Sequence, residues 1–305
     1  MKLGIVISLL IVVMLGLLLY LKLGGSPDRP TPATTAPGAL DKMTLPADLP
    51  TVFEPTNPQA DATELYAKAF DFYEANQSRL GSSGADPQVL DQLIDLLIEA
   101  MQAGKVKPGF MDDRTPLEPG IHLGPMKTAA GIGTAIFENA DRIKQRDAER
   151  GRLAVLAVWA LGQRAFEDNI IFENRSAGIG NMVGAATRFM HWQADFPEEW
   201  SRMDRWAEAL TEFSLGWNRK YELLRNSRPK IGDILQVAVY DKDPTFRVMA
   251  LQRLGMLQYN PGTEANLRAI KSVIDKARSD EHPLISRVAE EAHAFTKEQF
   301  HRMRM

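Results

Sequence analysis

The sequence has no cysteine. This absence excludes disulfide bonds, thiol nucleophiles, iron–sulfur clusters and cysteine-rich zinc sites. Basic tracts are lacking as well. The formal net charge is −3 and the isoelectric point is about 6.0, so we expect no nucleic-acid partner. The hydrophobic fraction of 45% and the charged fraction of 25% are ordinary for a globular protein, which excludes a wholly disordered or fibrous chain.

Charge is also missing from the N-terminal run at residues 3–21. A helix of this length is about 28 Å long, close to the ~30 Å hydrocarbon core of a bilayer. No small-residue cleavage site follows the run, so we predict that residues 1–24 are a transmembrane signal anchor that contacts the membrane through residues 3–21. A two-residue tail ahead of a large domain favours a cytoplasmic N-terminus and an extracytoplasmic, periplasmic C-terminal domain. The alternative is a cleaved signal peptide.

Residues 25–58 have no apolar periodicity and are rich in proline. The prolines of this stretch are Pro27, Pro30, Pro32, Pro37, Pro46, Pro50, Pro55 and Pro58. Proline fixes φ and has no N–H to donate, which disfavours both a helix and a central strand. We therefore predict a proline-rich linker that holds the folded domain away from the membrane.

Helical periodicity dominates the chain from residue 59 to residue 228. The second predicted helix begins at Asp86-Pro87, a capping residue followed by proline at the first helical position. Its apolar side chains then repeat at helical spacing, at Leu90, Leu93, Ile94, Leu97 and Met101. No alternation of period two is long enough for a sheet. We predict an all-α fold of stacked helical hairpins, α-solenoid-like and loosely similar to tetratricopeptide repeats, although their 34-residue period is not kept.

Two Gly-x-Gly pairs, Gly131/Gly133 and Gly178/Gly180, lie within predicted helices. In a phosphate-binding loop such a pair follows a strand, and in the P-loop a Lys-Ser/Thr pair comes next. Neither pair has this context. We interpret the glycines as places where two helices approach each other closely.

The C-terminal residues 229–305 contain a short motif twice. Asp243-Pro244 with Arg247-Val248 is followed by His282-Pro283 with Arg287-Val288, and the Arg-Val pairs are 40 residues apart. An Asp-Pro turn followed by Arg-Val resembles the start of the second helix of a HEAT repeat, whose period is about 40–47 residues. The resemblance implies a pair of stacked helical hairpins in which an arginine of each repeat bonds a neighbouring carboxylate.

The long irregular segment at residues 106–125 is the place where the sequence collects chemically versatile side chains. It carries Asp112, Asp113, Arg114 and His122. Long loops in compact domains are often functional, so these residues form a candidate site. The sequence shows no complete catalytic set, no cofactor motif and no metal site, because the Glu-x-x-His motifs it contains fall on one predicted helix and cannot face each other.

Aromatic side chains concentrate between residues 189 and 217. Their helical spacing favours packing in the core. The alternative is a groove for a ligand or partner, for which Trp192, Trp200 and Trp206 are the candidate residues, because tryptophan and arginine are frequent at protein interfaces. Arg247 and Arg287 of the HEAT-like motif complete this set.

Two functions follow from these features. Helical solenoids present extended surfaces, which favours a membrane-anchored scaffold or accessory subunit that binds one or more protein partners. The alternative is an extracytoplasmic enzyme or small-molecule-binding domain with its site under the 106–125 loop. The sequence favours the first, non-enzymatic function.

Overall fold

The computed structural model describes residues 45–81, 84–114, 124–225 and 230–304. The described chain is all-α except for two short strands. In chain order its elements are β1 (Asn57–Asp61), α1 (Thr63–Asn76), α2 (Pro87–Gln102), β2 (Ala103–Lys105), α3 (Gly124–Arg146), α4 (Ala148–Glu167), α5 (Phe172–His191), α6 (Pro197–Arg225), α7 (Ile231–Tyr240), α8 (Pro244–Leu257), α9 (Glu264–Ala277), α10 (Pro283–Ala294) and α11 (Lys297–Arg304). Single 3-10 turns lie at Gln77–Arg79 and Asp112–Arg114.

The predicted anchor at residues 1–24 and the first part of the predicted linker lie outside the described residues. Within the described ranges, none of the helices combines the length and the apolar character needed to cross a membrane.

Proline and a capping residue begin α2, α8 and α10. At α2 the carboxylate of Asp86 accepts hydrogen bonds from Gln88 N (3.0 Å) and Val89 N (3.4 Å), and Pro87 occupies the first turn. Asp243 and His282 cap α8 and α10 in the same way. Each cap satisfies an amide that has no partner inside its own helix. The helix start predicted at Asp86-Pro87 is confirmed.

Neighbouring helices stack along the chain. The hairpin of α1 and α2 packs on α3 and α4, the helices α3, α4 and α5 pack against one another, and α6 lies on α5. The helices α4 and α5 cross tightly at Gly162 and Gly178. A Cβ placed at Gly178 would lie 2.5 Å from the carbonyl oxygen of Gly162, and one at Gly162 would lie 2.7 Å from that of Gly178. Close helix approach is therefore confirmed for Gly178, and it is wrong for Gly180, where a Cβ would meet nothing within 4 Å.

The strands β1 and β2 form a small parallel sheet that we did not predict. Its two strands are separated by the hairpin of α1 and α2, and neither shows an alternating pattern. Gly104 explains how they meet, since a Cβ at this position would overlap the backbone of Pro58. The lack of a side chain at Gly104 therefore lets the two strands come together.

Residues 45–56 of the predicted linker lie along the helical body, and residues 57–58 of it begin β1. Val52 is 5% exposed, and the neighbouring side chains of Leu45, Leu49 and Phe53 are partly buried against the core. The folded unit therefore includes this segment, which we call the N-terminal segment.

The four helices α7 to α10 form two stacked hairpins. The first hairpin pairs α7 with α8 and the second pairs α9 with α10, while α8 packs on α10 and α7 packs on α9. This pair of hairpins joins the rest of the body mainly through α8, which contacts α6 and α5. The stacking agrees with the predicted solenoid-like arrangement.

Candidate functional site

A groove of about 880 Å³, partly open to solvent, lies within the described part of the molecule. Its walls come mainly from the N-terminal segment, from the helices α4 and α6, and from the turn between α7 and α8, with further residues from α1, α2, β2 and α5. We call it the central groove. Its volume lies in the range of about 300–1,000 Å³ that is typical of ligand sites.

Aromatic rings of α4 and α6 line one wall of the groove. Trp159 and Trp206 pack edge to face with their centroids 5.8 Å apart, and Phe166 and Phe213 do so at 5.3 Å. The indole N–H of Trp206 donates a hydrogen bond of 2.8 Å to the carbonyl of Pro50, which fastens the N-terminal segment to this wall. The indole N–H of Trp159 has no such acceptor within the described residues.

Arg175, at the start of α5, contributes a buried charge to the floor of the groove. Its guanidinium lies 4.5 Å from the ring centroid of Phe166 and 4.7 Å from that of Trp217, and it donates to Asp243 (3.1 Å) and Thr245 (2.6 Å). Burial lowers the pKa of Arg175, and the carboxylate of Asp243 opposes this effect. The arginine therefore serves as a fixed link between α5 and α8.

A second buried ion pair lies beside it. Lys220 of α6 donates to Asp241 at 2.8 Å, and the two side chains are only 8% and 7% exposed. The ammonium also lies 4.9 Å from the ring centroid of Phe246. Removing one partner would leave the other charge buried and unpaired, which typically costs about 3–5 kcal/mol.

Arg164 of α4 holds the opposite end of the groove. It donates to the carbonyl of Gly104 at 2.7 Å and lies 3.6 Å from the carboxylate of Asp168. Burial raises the pKa of Asp168, and Arg164 only partly offsets this. Arg164, Arg175 and Lys220 on the groove lining thus each have a carboxylate nearby.

The three tryptophans predicted to bind a partner do not form one surface. Trp206 lines the central groove. Trp192 is 3% exposed at the end of α5, where it donates to Asp141 (2.8 Å) and lies under the ammonium of Lys144. Trp200 is half-buried against the core near the start of α6.

Arg247 and Arg287 are also separate from each other. Arg247 bonds the carboxylate of Asp280, as expected for a neighbouring carboxylate. Arg287 instead reaches Asp113 of the loop at 3.5 Å, and both side chains are about half exposed.

The helix caps explain why the two arginines differ. Asp243 and His282, the two capping residues, are 39 positions apart, whereas the two Arg-Val pairs are 40 apart. The extra residue moves Arg287 one position further into its helix, which points its side chain in a different direction.

Asp112 of the predicted loop site is 2% exposed, and both of its carboxylate oxygens accept hydrogen bonds. Its carboxylate accepts hydrogen bonds from Ile170 N (2.6 Å), Ile171 N (3.2 Å) and Asn174 Nδ2 (2.8 Å). Burial raises the pKa of Asp112, although these hydrogen bonds favour the charged form. Asp112 therefore joins the loop to the start of α5.

Of the other predicted loop residues, Asp113 is the one whose side chain the structure describes. Asp113 is exposed and pairs with Lys107 at 2.6 Å. Arg114 ends the 3-10 turn, with its side chain outside the described atoms, and His122 lies outside the described residues. Across the described chain, no group of three His, Asp or Glu side chains is placed to hold a metal ion.

The buried ion pairs of the groove, Arg175 with Asp243 and Lys220 with Asp241, were not predicted from the sequence. Arg175 and Lys220 stand in helical stretches, and their carboxylate partners lie 68 and 21 positions away. The available signal was the pair Asp241-x-Asp243, of which only Asp243 entered the prediction, in the Asp-Pro turn of the HEAT-like motif. Asp243 caps α8 by accepting from Thr245 N at 2.9 Å and binds Arg175 as well.

No protein-family model, curated protein or solved structure matches this chain.

Proposed function

We propose that the protein is a membrane-anchored scaffold or accessory subunit and that its activity is to bind a protein partner in the central groove. Residues 3–21 would hold it in the membrane, with the helical body on the extracytoplasmic, periplasmic side. The observation that carries the proposal is the groove itself, about 880 Å³ between parts of the chain that are distant in sequence.

The state of the polar groups supports binding over catalysis. Arg175 and Lys220 are each held by a carboxylate, and Asp112 is held by three donors. Groups fixed in this way maintain the shape of a site, whereas a general acid or base needs a proton that it can exchange. The groove is also not lined by Asp112 or Asp113, so the alternative site under the 106–125 loop has less support.

We further propose that α7 to α10 are a pair of HEAT-like repeats. The stacking of first helix on first helix and second helix on second helix supports this, as does the bond of Arg247 to Asp280. Such repeats have extended surfaces used for protein binding. The one-residue shift at Arg287 makes the second copy degenerate.

Replacing Ala160, a half-buried residue of the groove wall, by arginine tests the proposed function. The full-length chain is expressed in cells of the source organism, and complexes are isolated from membranes in mild detergent. We expect the wild type to retain a stoichiometric partner that Ala160→Arg loses, because the new side chain fills the groove.

Ala75→Arg is the matched control, because Ala75 is exposed in the last turn of α1 and does not line the groove. It should retain the partner. An identical set of proteins with all three chains, or recovery of the wild type outside the membrane fraction, would contradict the proposal.

A further inference from the structure

The N-terminal segment is attached to the helical body by few contacts. In the described part of the chain, one hydrogen bond joins the two, from the indole N–H of Trp206 to the carbonyl of Pro50. An ion pair of 3.9 Å links Asp48 to Arg205, with both side chains exposed. Val52 is buried, whereas the other side chains of the segment are partly or fully exposed. A stretch with so few buried contacts can open while the rest of the protein stays folded.

The attachment becomes much firmer at β1. This strand pairs with β2, and directly after it Ala62 N donates to the carbonyl of Lys105 at 2.7 Å. Among the described residues, no backbone–backbone hydrogen bond of this kind involves residues 45–56. Pro55 and Thr56 therefore lie at the boundary between a weakly held stretch and a firmly held one, which is the position of a hinge.

The aromatic wall beneath the segment is held together by contacts of its own. Trp159 of α4 packs edge to face on Trp206 of α6, and Phe166 of α4 packs in the same way on Phe213 of α6. These ring pairs involve no residue of the segment. Opening of the segment therefore leaves the wall in place and frees the indole N–H of Trp206.

We propose that the N-terminal segment acts as a strap, which closes over the aromatic wall of the central groove and opens reversibly by a hinge at Pro55 and Thr56. In the closed position its backbone takes up the indole donor of Trp206, and Val52 fills part of the core. In the open position the wall is accessible to a partner. The chain before the segment leads to the predicted anchor, so a pull on that chain acts on the segment first. The inference rests on the proposed scaffold function and describes its regulation.

Cysteine labelling measures the opening, because the natural chain has no cysteine. Three variants of the full-length chain in detergent carry one cysteine each: Val52→Cys, buried in the segment, Thr51→Cys, exposed beside it, and Val155→Cys, buried in α4. Each variant is treated with iodoacetamide, and intact mass follows the labelling. We expect Val52→Cys to react at least about tenfold more slowly than Thr51→Cys and at least about a hundredfold faster than Val155→Cys.

Two results of this labelling would overturn the proposal. Equal rates for Val52→Cys and Val155→Cys would mean that the segment leaves only when the whole protein unfolds. Equal rates for Val52→Cys and Thr51→Cys would mean that the segment does not close on the wall.

Trp206→Phe tests the attachment, because it removes the hydrogen bond to Pro50 and keeps an aromatic ring in the wall. It should speed the labelling of Val52→Cys about two- to tenfold, as expected for the loss of one hydrogen bond, and leave that of Val155→Cys unchanged. Trp200→Phe is the matched control, because Trp200 is a half-buried tryptophan of α6 that does not line the groove. Equal effects of the two substitutions on Val52→Cys would contradict the proposed attachment.

A locked segment tests whether the strap controls access to the groove. Asp48→Cys and Arg205→Cys are combined, since these side chains approach each other, and a short bismaleimide links them in the purified full-length chain. Linked and unlinked chains are then mixed with detergent-solubilised membranes from cells that lack the protein. We expect the unlinked chain to recover the partner that the wild type retains and the linked chain to lose it.

The failures of the two proposals can be told apart. If linked and unlinked chains recover the same partner in equal amounts, the scaffold function stands and the strap is wrong. If the wild type recovers no partner from membranes, the scaffold function is wrong, whereas the labelling rates decide the opening of the segment without a partner.

Discussion

Asp112 and Asp280 show how one residue type acquires opposite pH dependence in one fold. Burial raises the pKa of Asp112 above its ordinary value. Burial also acts on Asp280, but the hydrogen bond from His282 N and the guanidinium of Arg247 outweigh it and lower the pKa. A carboxyl whose pKa is raised on folding contributes less stability as pH rises, and one whose pKa is lowered contributes more.

We therefore expect opposite slopes from the variants Asp112→Asn and Asp280→Asn. The wild type minus Asp112→Asn difference in free energy of unfolding should fall as pH rises above the ordinary carboxyl pKa of 3.8, through the raised folded value. The wild type minus Asp280→Asn difference should rise as pH increases from the lowered folded value to 3.8. Urea denaturation between about pH 3 and pH 7 measures both, and slopes of the same sign would contradict the assignment.

Helix crossings can be tested with two glycines of α5. A Cβ at Gly178 would lie 2.5 Å from the carbonyl oxygen of Gly162, whereas one at Gly180 meets nothing within 4 Å. We expect Gly178→Ala to lower the free energy of unfolding by about 1–3 kcal/mol through overpacking. Gly180→Ala should raise it by up to about 1 kcal/mol through helix propensity. Chemical denaturation compares the two, and equal effects would rule out a tight crossing at Gly178.

The stacked hairpins α7 to α10 depend on a buried apolar centre. Leu254 of α8 is 0% exposed, so Leu254→Asp places an unpaired carboxylate in the core and should cost several kcal/mol. Arg287→Glu, at a half-exposed position that pairs with Asp113, should cost less than about 1 kcal/mol. Circular dichroism during thermal unfolding is the measurement. A melting temperature of Leu254→Asp equal to that of the wild type would show that the stacked hairpins do not depend on the buried centre of α8.

The elements that could be predicted from the sequence are those that residues close together in the chain determine. A cap and a proline at Asp86-Pro87 or Asp243-Pro244 define a helix start within three residues, and the i, i+3, i+4 repeat of apolar side chains defines its buried face. The strands β1 and β2 have no such local cause. Their pairing depends on the hairpin of α1 and α2 that lies between them, and on the missing side chain of Gly104.

The candidate site was less predictable for the same reason. Trp206 could be found because tryptophan is frequent in binding sites, and Asp243 because it caps a helix. Arg175 and Lys220 could not, since a charged residue on a helix usually faces solvent and only the fold places these two beside Asp243 and Asp241.

At the scale of the whole molecule, the N-terminal segment should contribute to the stability of the folded unit, because it packs on the core. A chain of residues 59–305 lacks the buried Val52, the Pro50–Trp206 hydrogen bond and the first residues of β1. We expect its free energy of unfolding to be at least about 2 kcal/mol lower than that of a chain of residues 45–305.

The matched comparison is the exposed Glu54→Ala substitution in the longer chain, which should change stability by no more than about 0.5 kcal/mol. Urea denaturation distinguishes these cases. Equal stability of the two chain lengths would mean that the N-terminal segment only rests on the surface.

The hydrogen bond between Pro50 and Trp206 joins positions that are 156 residues apart. A contact of this separation closes a long loop, and the entropy of that closure must be overcome before the contact contributes any stability. On a ribosome, residues 45–56 emerge before α4 and α6, yet both helices must be complete before the segment can dock. The Asp241–Asp243 turn, which closes the floor, follows later still. During synthesis the groove is therefore among the last features of the molecule to form, and a nascent chain halted before residue 206 cannot engage a ligand there.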